Sequence, residues 1–168
     1  MENLFVIYLG GSCKEAIIEV HDMRLVIAET IEDTYDTLKK NWWGDSKGLH
    51  LDAWGILRWA DGYKIEIMDS VPENNQAKLY FVNLGGYSSK EFTELHKNIF
   101  IVAKNDREAK LRALKHIENW ESPHRDNLFD VDKILNVSNF LNNRVRLTPC
   151  VKESPFEFIC KYVPIDKF

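Results

Sequence analysis

The stretch Leu4–Gly11, LFVIYLGG, occurs a second time as Leu79–Gly86, LYFVNLGG. Aligning Gly10 with Gly85 sets an offset of 75 residues (85 − 10) between the two. The same offset aligns further identical pairs without a gap, among them Leu9 with Leu84, Glu19 with Glu94, His21 with His96 and Ala28 with Ala103. Self-similarity at a fixed offset predicts two copies of one supersecondary unit, each burying its apolar face against the other.

The first half of the first copy predicts two strands and a helix. Leu4–Leu9 is a continuous apolar run closed by two glycines, which is typical of a strand buried on both faces, and Met23–Ala28 predicts a second strand. Thr30 with Asp33 three residues later resembles a capping box and indicates that a helix begins there. This helix is expected to end before Gly44.

The remainder of the first copy predicts a hairpin. The extended runs His50–Ala60 and Tyr63–Ile67 flank Asp61-Gly62, a dipeptide typical of tight turns between antiparallel strands. Residues 69–76 contain one proline and several polar residues without any periodicity, which indicates a linker between the copies.

Residues 77–147 repeat this order of elements. Asn105 is the predicted N-cap of the helix, and Asn142-Asn143 tolerate the positive φ of the last turn. In this half the alignment needs a further shift of about three residues, which sets Asp52-Ala53 over Asp130-Val131. The predicted strands and helix are Leu79–Leu84, Ile99–Ala103, a helix over 106–119, Val131–Leu141 and Arg144–Leu147.

Residues 148–168 have no counterpart in the first copy. Phe156, Phe158, Cys160 and Tyr162 alternate with other residues, which predicts one extra strand that covers a sheet edge or pairs with a neighbouring molecule. The predicted fold is therefore α+β. It has two pseudo-symmetric ββαββ repeats, over 1–68 and 77–147, with mainly antiparallel sheet, helices packed on one side and an extra C-terminal strand, all in one compact domain.

Composition restricts the classes of partner. The 22 Lys and Arg against 26 Asp and Glu give a net charge of −4, so the basic excess that nucleic-acid binding needs is missing. Three separated cysteines without a Cys-x-x-Cys pair argue against a disulfide framework and a thiolate zinc site, and favour the cytoplasm. No stretch reaches the roughly 18 apolar residues that span a bilayer, so a soluble protein without a membrane partner is expected.

A Glu-x-His motif occurs in both copies, as Glu19 to His21 and as Glu94 to His96. Residues i and i+2 of an extended segment face the same way, so each Glu can reach its own His. If a pseudo-two-fold axis passes nearby, two imidazoles and two carboxylates converge and can bind a divalent metal, with Asp22 supporting them. The alternative is that each Glu only holds its His and stiffens the loop, and no cofactor is then needed.

The second candidate site is the aromatic segment WWGDSKGLHLDAW, residues 42–54, of which the second copy keeps Trp120 and Asp130 but not His50 and Leu51. Its indole rings can line a pocket for a planar or sugar-like ligand, with His50 and Asp52 as an acid–base pair. Alternatively, large aromatic side chains only hold a loop to the core. The candidate ligand-binding residues are Trp42, Trp43, Asp45, His50 and Trp54.

In these motifs the chain resembles the bacterial domain of unknown function family 1543. The segments that carry the resemblance all lie in the first copy: LFVIYLGG, EVHDMRLVIAE, NWWGDSKGLHLDAW and ADGYKIEI. The second copy departs from the pattern, because Lys97 follows His96 and no Trp-Trp-Gly is present. The resemblance implies one or two copies of the domain per chain. It implies no activity, cofactor or catalytic residue.

Two functions remain as hypotheses. The first is a cytoplasmic small-ligand-binding or protein-interaction module without catalysis, with a homodimer formed through a strand edge as the expected assembly. The absence of familiar catalytic signatures such as Gly-x-Ser-x-Gly and His-Glu-x-x-His favours this module. The second is a small metal-assisted or acid–base hydrolase that uses a His/Glu or a His/Asp site, and the repeated Glu-x-His favours it.

Overall fold

The computed structural model describes residues 1–72, 77–116 and 131–167, and it has an α+β fold built on antiparallel strand pairs. Unit 1 comprises Met1–Trp59 with Ser154–Phe168, and unit 2 comprises Ala60–Glu153. The elements in chain order are β1 (Asn3–Gly11), β2 (Val20–Ala28), α1 (Tyr35–Asn41), β3 (His50–Ile56), β4 (Trp59–Ala60), β5 (Tyr63–Ile67), β6 (Lys78–Gly86), β7 (Leu95–Ala103), α2 (Asp106–Ala113), β8 (Val131–Asn136), α3 (Val137–Phe140), β9 (Val145–Pro149) and β10 (Phe158–Pro164).

Unit 1 is a four-stranded antiparallel sheet with the strand order β10-β3-β1-β2. β1 is an inner strand because its apolar run supplies side chains to both faces of the sheet. Phe5, Ile7 and Leu9 alternate onto one face, where they pack against Leu38 of α1 and against Trp42. Burial of this face stabilises the sheet. Tyr8 and Gly10 lie on the opposite face, near the C-terminal end of β1, where the candidate site is found.

The repeat in the sequence extends to the strand register. In the β1–β2 pair Gly10 lies opposite His21, and in the β6–β7 pair Gly85 lies opposite His96, so the two antiparallel pairs match at the offset of 75 residues. Each pair is also flanked by a third antiparallel strand, β3 in unit 1 and β8 in unit 2. The predicted order of strand, strand, helix and strand is therefore present in each half of the chain.

The alignment predicted for the third strands was wrong by two residues. Leu51 beside β1 and Val131 beside β6 occupy matching positions, which sets an offset of 80 residues (131 − 51). The shift that aligned Asp52 with Asp130 came from sequence identity alone. The register is decided by backbone pairing, and in both halves that pairing slips at an irregularity near its glycine end.

The two units do not coincide with the predicted repeats. β5 pairs with β9, so the closing strands of both repeats belong to unit 2, whereas the tail strand β10 pairs with β3 in unit 1. The predicted boundaries at 1–68, 69–76, 77–147 and 148–168 followed chain order, and long-range strand pairing divides the chain differently. Of the predicted linker, residues 73–76 lie outside the described residues.

Capping and turn residues act as the sequence predicts. Thr30 and Asp33 exchange hydrogen bonds in a reciprocal capping box ahead of α1. Asp61 and Gly62 have φ angles of 51° and 84°, the left-handed values that a tight hairpin turn requires. The Asn105 side chain accepts a hydrogen bond from the Glu108 N–H and caps α2. The predicted end of that helix near Asn119 falls outside the described residues.

Three predicted strands differ from the structure. The run predicted over His50–Ala60 ends at Ile56, and Trp59–Ala60 forms the separate strand β4 in another sheet. The strand expected over Val131–Leu141 ends at Asn136 and is followed by helix α3, because the Asn136 side chain accepts a hydrogen bond from the Asn139 N–H and caps a helical turn. The tail strand begins at Phe158, two residues later than the predicted start at Phe156.

β10 is the outer strand of the unit 1 sheet. Its side chains Phe158, Ile159 and Tyr162 are each more than half exposed, which leaves an apolar sheet edge open. A homodimer through this edge remains a prediction. Among the described residues, no helix has the length and apolar character needed to cross a bilayer.

Burial of Tyr80 in β6 predicts that the protein loses stability at alkaline pH. Its side chain is 1% exposed, and burial, followed by a hydrogen bond to Asp106, raises the pKa of its hydroxyl to about 12. An unfolded tyrosine titrates near pH 10, so this contribution is fully present below about pH 10 and is lost as the pH rises towards 12. We expect the free energy of unfolding to fall by roughly 1 to 3 kcal/mol over this range. Urea unfolding of the wild type and of Tyr80→Phe checks this, and equal pH dependence in both would contradict it.

Candidate functional site

The candidate site lies on one face of the unit 1 sheet, at the glycine end of β1. Gly10 pairs with His21 on β2 and with His50 on β3, so the two histidines flank the same position of the inner strand. Residues directly opposite one another in a sheet project from the same face. Glu19 immediately precedes β2, and Asp52 lies in β3 where its pairing with β1 becomes irregular.

Two imidazoles and two carboxylates alternate around this site. The Nε2 atom of His21 lies 3.6 Å from Glu19 Oε2 and 3.4 Å from Asp52 Oδ2. The Nε2 atom of His50 lies 3.3 Å from Glu19 Oε1 and 3.4 Å from Asp52 Oδ1. Each carboxylate therefore turns one oxygen towards each imidazole. We call these four side chains the His/carboxylate cluster.

His50 is the buried wall of the cluster. Its side chain is 2% exposed, whereas those of Glu19 and His21 are 47% and 35% exposed and open the cluster to solvent. The Nδ1 atom of His50 lies 2.7 Å from the carbonyl oxygen of Gly48. A carbonyl only accepts hydrogen bonds, so Nδ1 carries a proton, and Nε2 is the ring nitrogen that faces the two carboxylates.

No short hydrogen bond joins the imidazoles to the carboxylates in the described part of the chain. Charge-assisted N–H···O bonds are about 2.7 to 2.9 Å long, and the four contacts listed above are all longer. Asp52 Oδ2 is buried and has no hydrogen-bond partner in the described part of the chain. A buried carboxylate oxygen without a donor is costly, so the arrangement is suited to a group that brings one.

The absence of a side chain at Gly10 leaves room for the side chains of His50 and Asp52. A Cβ atom at this position would lie 2.5 Å from His50 Nε2 and 2.6 Å from Asp52 Oδ2. These distances are shorter than any van der Waals contact, so the two side chains take up the room that every other residue type would fill. Glycine here is required by close packing and not by a left-handed backbone.

Two tyrosines cover the two imidazoles. The ring of Tyr8 stacks on His21 with centroids 5.2 Å apart, and the ring of Tyr162 lies 4.3 Å from His50. Tyr8 is 38% and Tyr162 is 62% exposed. Partial burial, followed by the charges of Asp52 and Asp22, raises the pKa of the Tyr8 hydroxyl, so the phenol stays neutral in ordinary buffers.

The structure places the two predicted Glu-x-His pairs in different units. Each Glu contacts its own His as predicted, at 3.6 Å for Glu19 and 3.8 Å for Glu94. Within unit 1, the groups that join Glu19 and His21 are His50 and Asp52. The predicted supporting residue Asp22 instead accepts hydrogen bonds from Arg24 and from the indole N–H of Trp43.

The geometry of the cluster bears on the predicted metal. In residues 1–72, 77–116 and 131–167, no group of three or more His, Cys, Asp or Glu side chains has the arrangement of a metal site. The two carboxylates bridge between the imidazoles, and each turns one oxygen towards each ring. Metal binding by the Glu-x-His motif therefore stays a prediction.

The structure does not bring the predicted aromatic pocket together. Trp42 is 9% exposed and packs in the core, where its indole N–H donates to the Asp45 carbonyl oxygen. Trp43 is 56% exposed and stacks on Trp42. Trp54 pairs with Ile7 and packs against the core face, opposite to the face that carries His50. It lines a separate open groove of about 590 Å³.

Sequence reasoning missed the tyrosines and the tail residues at the site. Tyr8 was treated only as part of a buried strand, and Tyr162 only as one position of the tail strand. The available signal for Tyr8 was its spacing of two residues from Gly10, which places both on one face of β1. Nothing local in the sequence indicates that Tyr162 reaches His50.

One segment of the chain matches a known protein family. Residues 16–67 match the family DUF1543, a Domain of Unknown Function. All four residues of the His/carboxylate cluster lie in this DUF1543 segment, whereas Tyr8 and Tyr162 lie outside it. No curated protein matches the chain significantly.

The whole chain is also similar to a solved structure. The crystal structure of a protein Il1583 from Idiomarina loihiensis matches 98% of this chain and 99% of its own length, with 29% sequence identity and a TM-score of 0.74. The similarity therefore covers the DUF1543 segment, the second half and the tail together. It supports the α+β architecture described above and carries no activity with it.

Proposed function

We propose that unit 1 is a small-ligand-binding module whose His/carboxylate cluster receives an organic cation, an ammonium or a guanidinium group. The observation that carries this proposal is Asp52 Oδ2, a buried carboxylate oxygen without a hydrogen-bond donor. With neutral imidazoles the four groups of the cluster carry a net charge of −2, and an incoming N–H donor satisfies the oxygens of Glu19 and Asp52.

The surrounding rings favour an organic cation over a bare metal ion. Tyr8 and Tyr162 are partly exposed, and their rings lie against the imidazoles of His21 and His50. Aromatic faces attract ammonium and guanidinium groups, and cages of such rings are a common means of recognising alkylated amines. Bridging carboxylates with separate oxygens suit several N–H donors better than a single metal centre.

We also infer that residues 77–147 are a second copy of the DUF1543 domain. The matching registers of Gly10 with His21 and of Gly85 with His96 support this inference. The second copy keeps Glu94 and His96, but the sequence match to the segment that contains His50 is lost. The proposed cation site is accordingly assigned to unit 1.

Calorimetric titration with a panel of small ions tests the proposal. The panel contains butylammonium, methylguanidinium and tetramethylammonium, with butyrate as the anionic control and zinc chloride as the metal alternative. We expect at least one organic cation to bind, and Glu19→Gln and Asp52→Asn to weaken its binding by about tenfold or more, because each removes one of the two charges. Glu94→Gln is the matched control, since it changes the equivalent Glu in unit 2, and its affinity should stay that of the wild type.

Two outcomes would overturn the proposal. One is the absence of binding by all three organic cations. The other is equal weakening by Glu94→Gln, which would place the binding elsewhere on the acidic surface. Tight zinc binding that excludes the organic cations would replace the proposal with the metal-assisted alternative.

An acid–base hydrolase is the second candidate, favoured by one specific contact. His50 Nε2 lies 3.4 Å from Asp52 Oδ1, and the partly open side chain of His21 faces the same carboxylate. An imidazole held beside a carboxylate can accept and return a proton during hydrolysis. Turnover of a bound amine ester or amide, lost in His50→Gln, would favour this candidate over the binding module.

A further inference from the structure

The C-terminal tail completes the site, although the DUF1543 segment ends at residue 67. We propose that Asp166 and Tyr162 are positioning residues that hold the His50 ring with Nδ1 protonated and Nε2 facing the cluster. The structural part of this proposal stands on its own, and only its consequence for affinity rests on the proposed cation site.

Asp166 acts on His50 through the backbone of Gly48. The Gly48 N–H donates to Asp166 Oδ2 at 3.0 Å, and the carbonyl oxygen of the same residue lies 2.7 Å from His50 Nδ1. Gly48 has a φ of 85°, a left-handed conformation that costs glycine little. Because glycine adopts other conformations as easily, its neighbours must hold it in this one. Asp166 holds the peptide plane before Gly48, and the Ile165 N–H holds the plane after Leu49, so the Gly48 carbonyl group in the plane between them has little freedom to turn.

The neighbouring tail residues hold this connection in place. Val163 and Pro164 pair with Leu51 and His50, and the Ile165 N–H donates to the Leu49 carbonyl oxygen. Ile165 is fully buried in the unit 1 core. The tail is thus anchored by core packing and by backbone pairing on both sides of His50.

Tyr162 reaches His50 because the strand pairing is irregular. In the β10–β3 pair the register shifts between Cys160 and Val163, so Tyr162 stands in the irregular stretch beside His50. Its ring lies 4.3 Å from the imidazole at an interplanar angle of 35°, which covers one side of the ring. This contact restricts rotation of His50 about its own side-chain bonds.

The tail serves unit 1 specifically. The sheet containing β6 has three strands in the order β7-β6-β8 within the described residues, and no fourth strand flanks β8 there. Unit 1 has β10 in the corresponding place beside β3. Within the described residues, the core that contains His50 is therefore the one with an added edge strand.

Nitrogen-15 NMR of the histidine side chains in the full-length protein tests this proposal. Because the hydrogen bond of one ring nitrogen decides which tautomer forms, wild-type His50 at alkaline pH should be in the Nδ1–H form. We expect Asp166→Ala and Tyr162→Ala to shift His50 towards a mixture of both tautomers and to weaken cation binding by about tenfold. Asp166→Asn keeps an acceptor oxygen and Tyr162→Phe keeps the ring, so both should retain the wild-type signals.

The readouts separate the two proposals. An unchanged His50 tautomer in both alanine variants, with circular dichroism showing folded protein, would overturn the positioning role whatever the cation does. A changed tautomer with unchanged cation affinity would remove the link to binding and leave positioning intact. If an alanine variant fails to fold, loss of the wild-type tautomer signals in the pair Asp166→Asn and Tyr162→Phe would likewise contradict the proposal.

Discussion

Trp42→Ala is expected to lower the free energy of unfolding by about 3 to 5 kcal/mol, the usual cost of truncating a buried tryptophan. Trp42 is 9% exposed and packs with Leu38 and Ile7 in the unit 1 core. Glycines shape the space around it, since a Cβ at Gly11 or at Gly44 would lie within 3 Å of the indole ring. Alanine would leave a cavity that such a closely fitted site cannot close.

Trp43→Ala provides the matched control for this prediction. Trp43 is the next residue and is also a tryptophan, but it is 56% exposed, so its truncation should cost less than about 1 kcal/mol. Urea unfolding followed by circular dichroism measures both variants. Equal destabilisation by the two substitutions would mean that Trp42 does not anchor the core as described.

Gly10→Ala is expected to abolish cation binding and to destabilise unit 1 by about 1 to 3 kcal/mol, the range for overpacking a close-packed site. The added methyl group would lie 2.5 Å from His50 Nε2, and His50 is buried and cannot move outward. The affected atoms are those to which the cation is proposed to bind. Loss of stability and loss of binding should therefore appear together in this single variant.

A double-mutant cycle checks the cause of this effect. In a His50→Ala background the clash with the imidazole is gone, so adding Gly10→Ala should cost clearly less than it does in the wild type. Unfolding free energies of the four proteins give the coupling. Strict additivity would contradict a direct contact between position 10 and His50.

Local sequence patterns predicted most strands and the helices α1 and α2, because the signals for these elements lie in neighbouring residues. The capping box at Thr30, the N-cap at Asn105 and the turn at Asp61-Gly62 each act through neighbouring residues. Helix α3 was missed because a single cap at Asn136 decides the conformation of this short segment. The pairing of β5 with β9 was missed because it joins residues about eighty positions apart in the chain.

The candidate site was predicted in halves. Glu19 with His21, and His50 with Asp52, each drew attention through spacing alone, but they were assigned to separate sites. What joins them is the position of β1 between β2 and β3, which places Gly10 opposite both histidines. Strand order and register are long-range properties that spacing within one motif does not contain.

The residues of the predicted aromatic pocket are not brought together, for a related reason. His50 and Trp54 are four residues apart, and simple alternation places them on the same face of a strand. The pairing of β3 with β1 shifts its register between them, so one residue turns to the cluster and the other to the core face. Such an irregularity reverses the facing of every later side chain, and no residue in the segment marks its place.

A crystal structure with the tightest-binding cation from the titration panel tests the central claim most directly. We expect the cation nitrogen to lie within about 3 Å of Asp52 Oδ2, between the rings of Tyr8 and Tyr162, and to donate a hydrogen bond to Glu19 as well. A cluster that stays free of the cation, while the cation occupies some other part of the molecule, would contradict it.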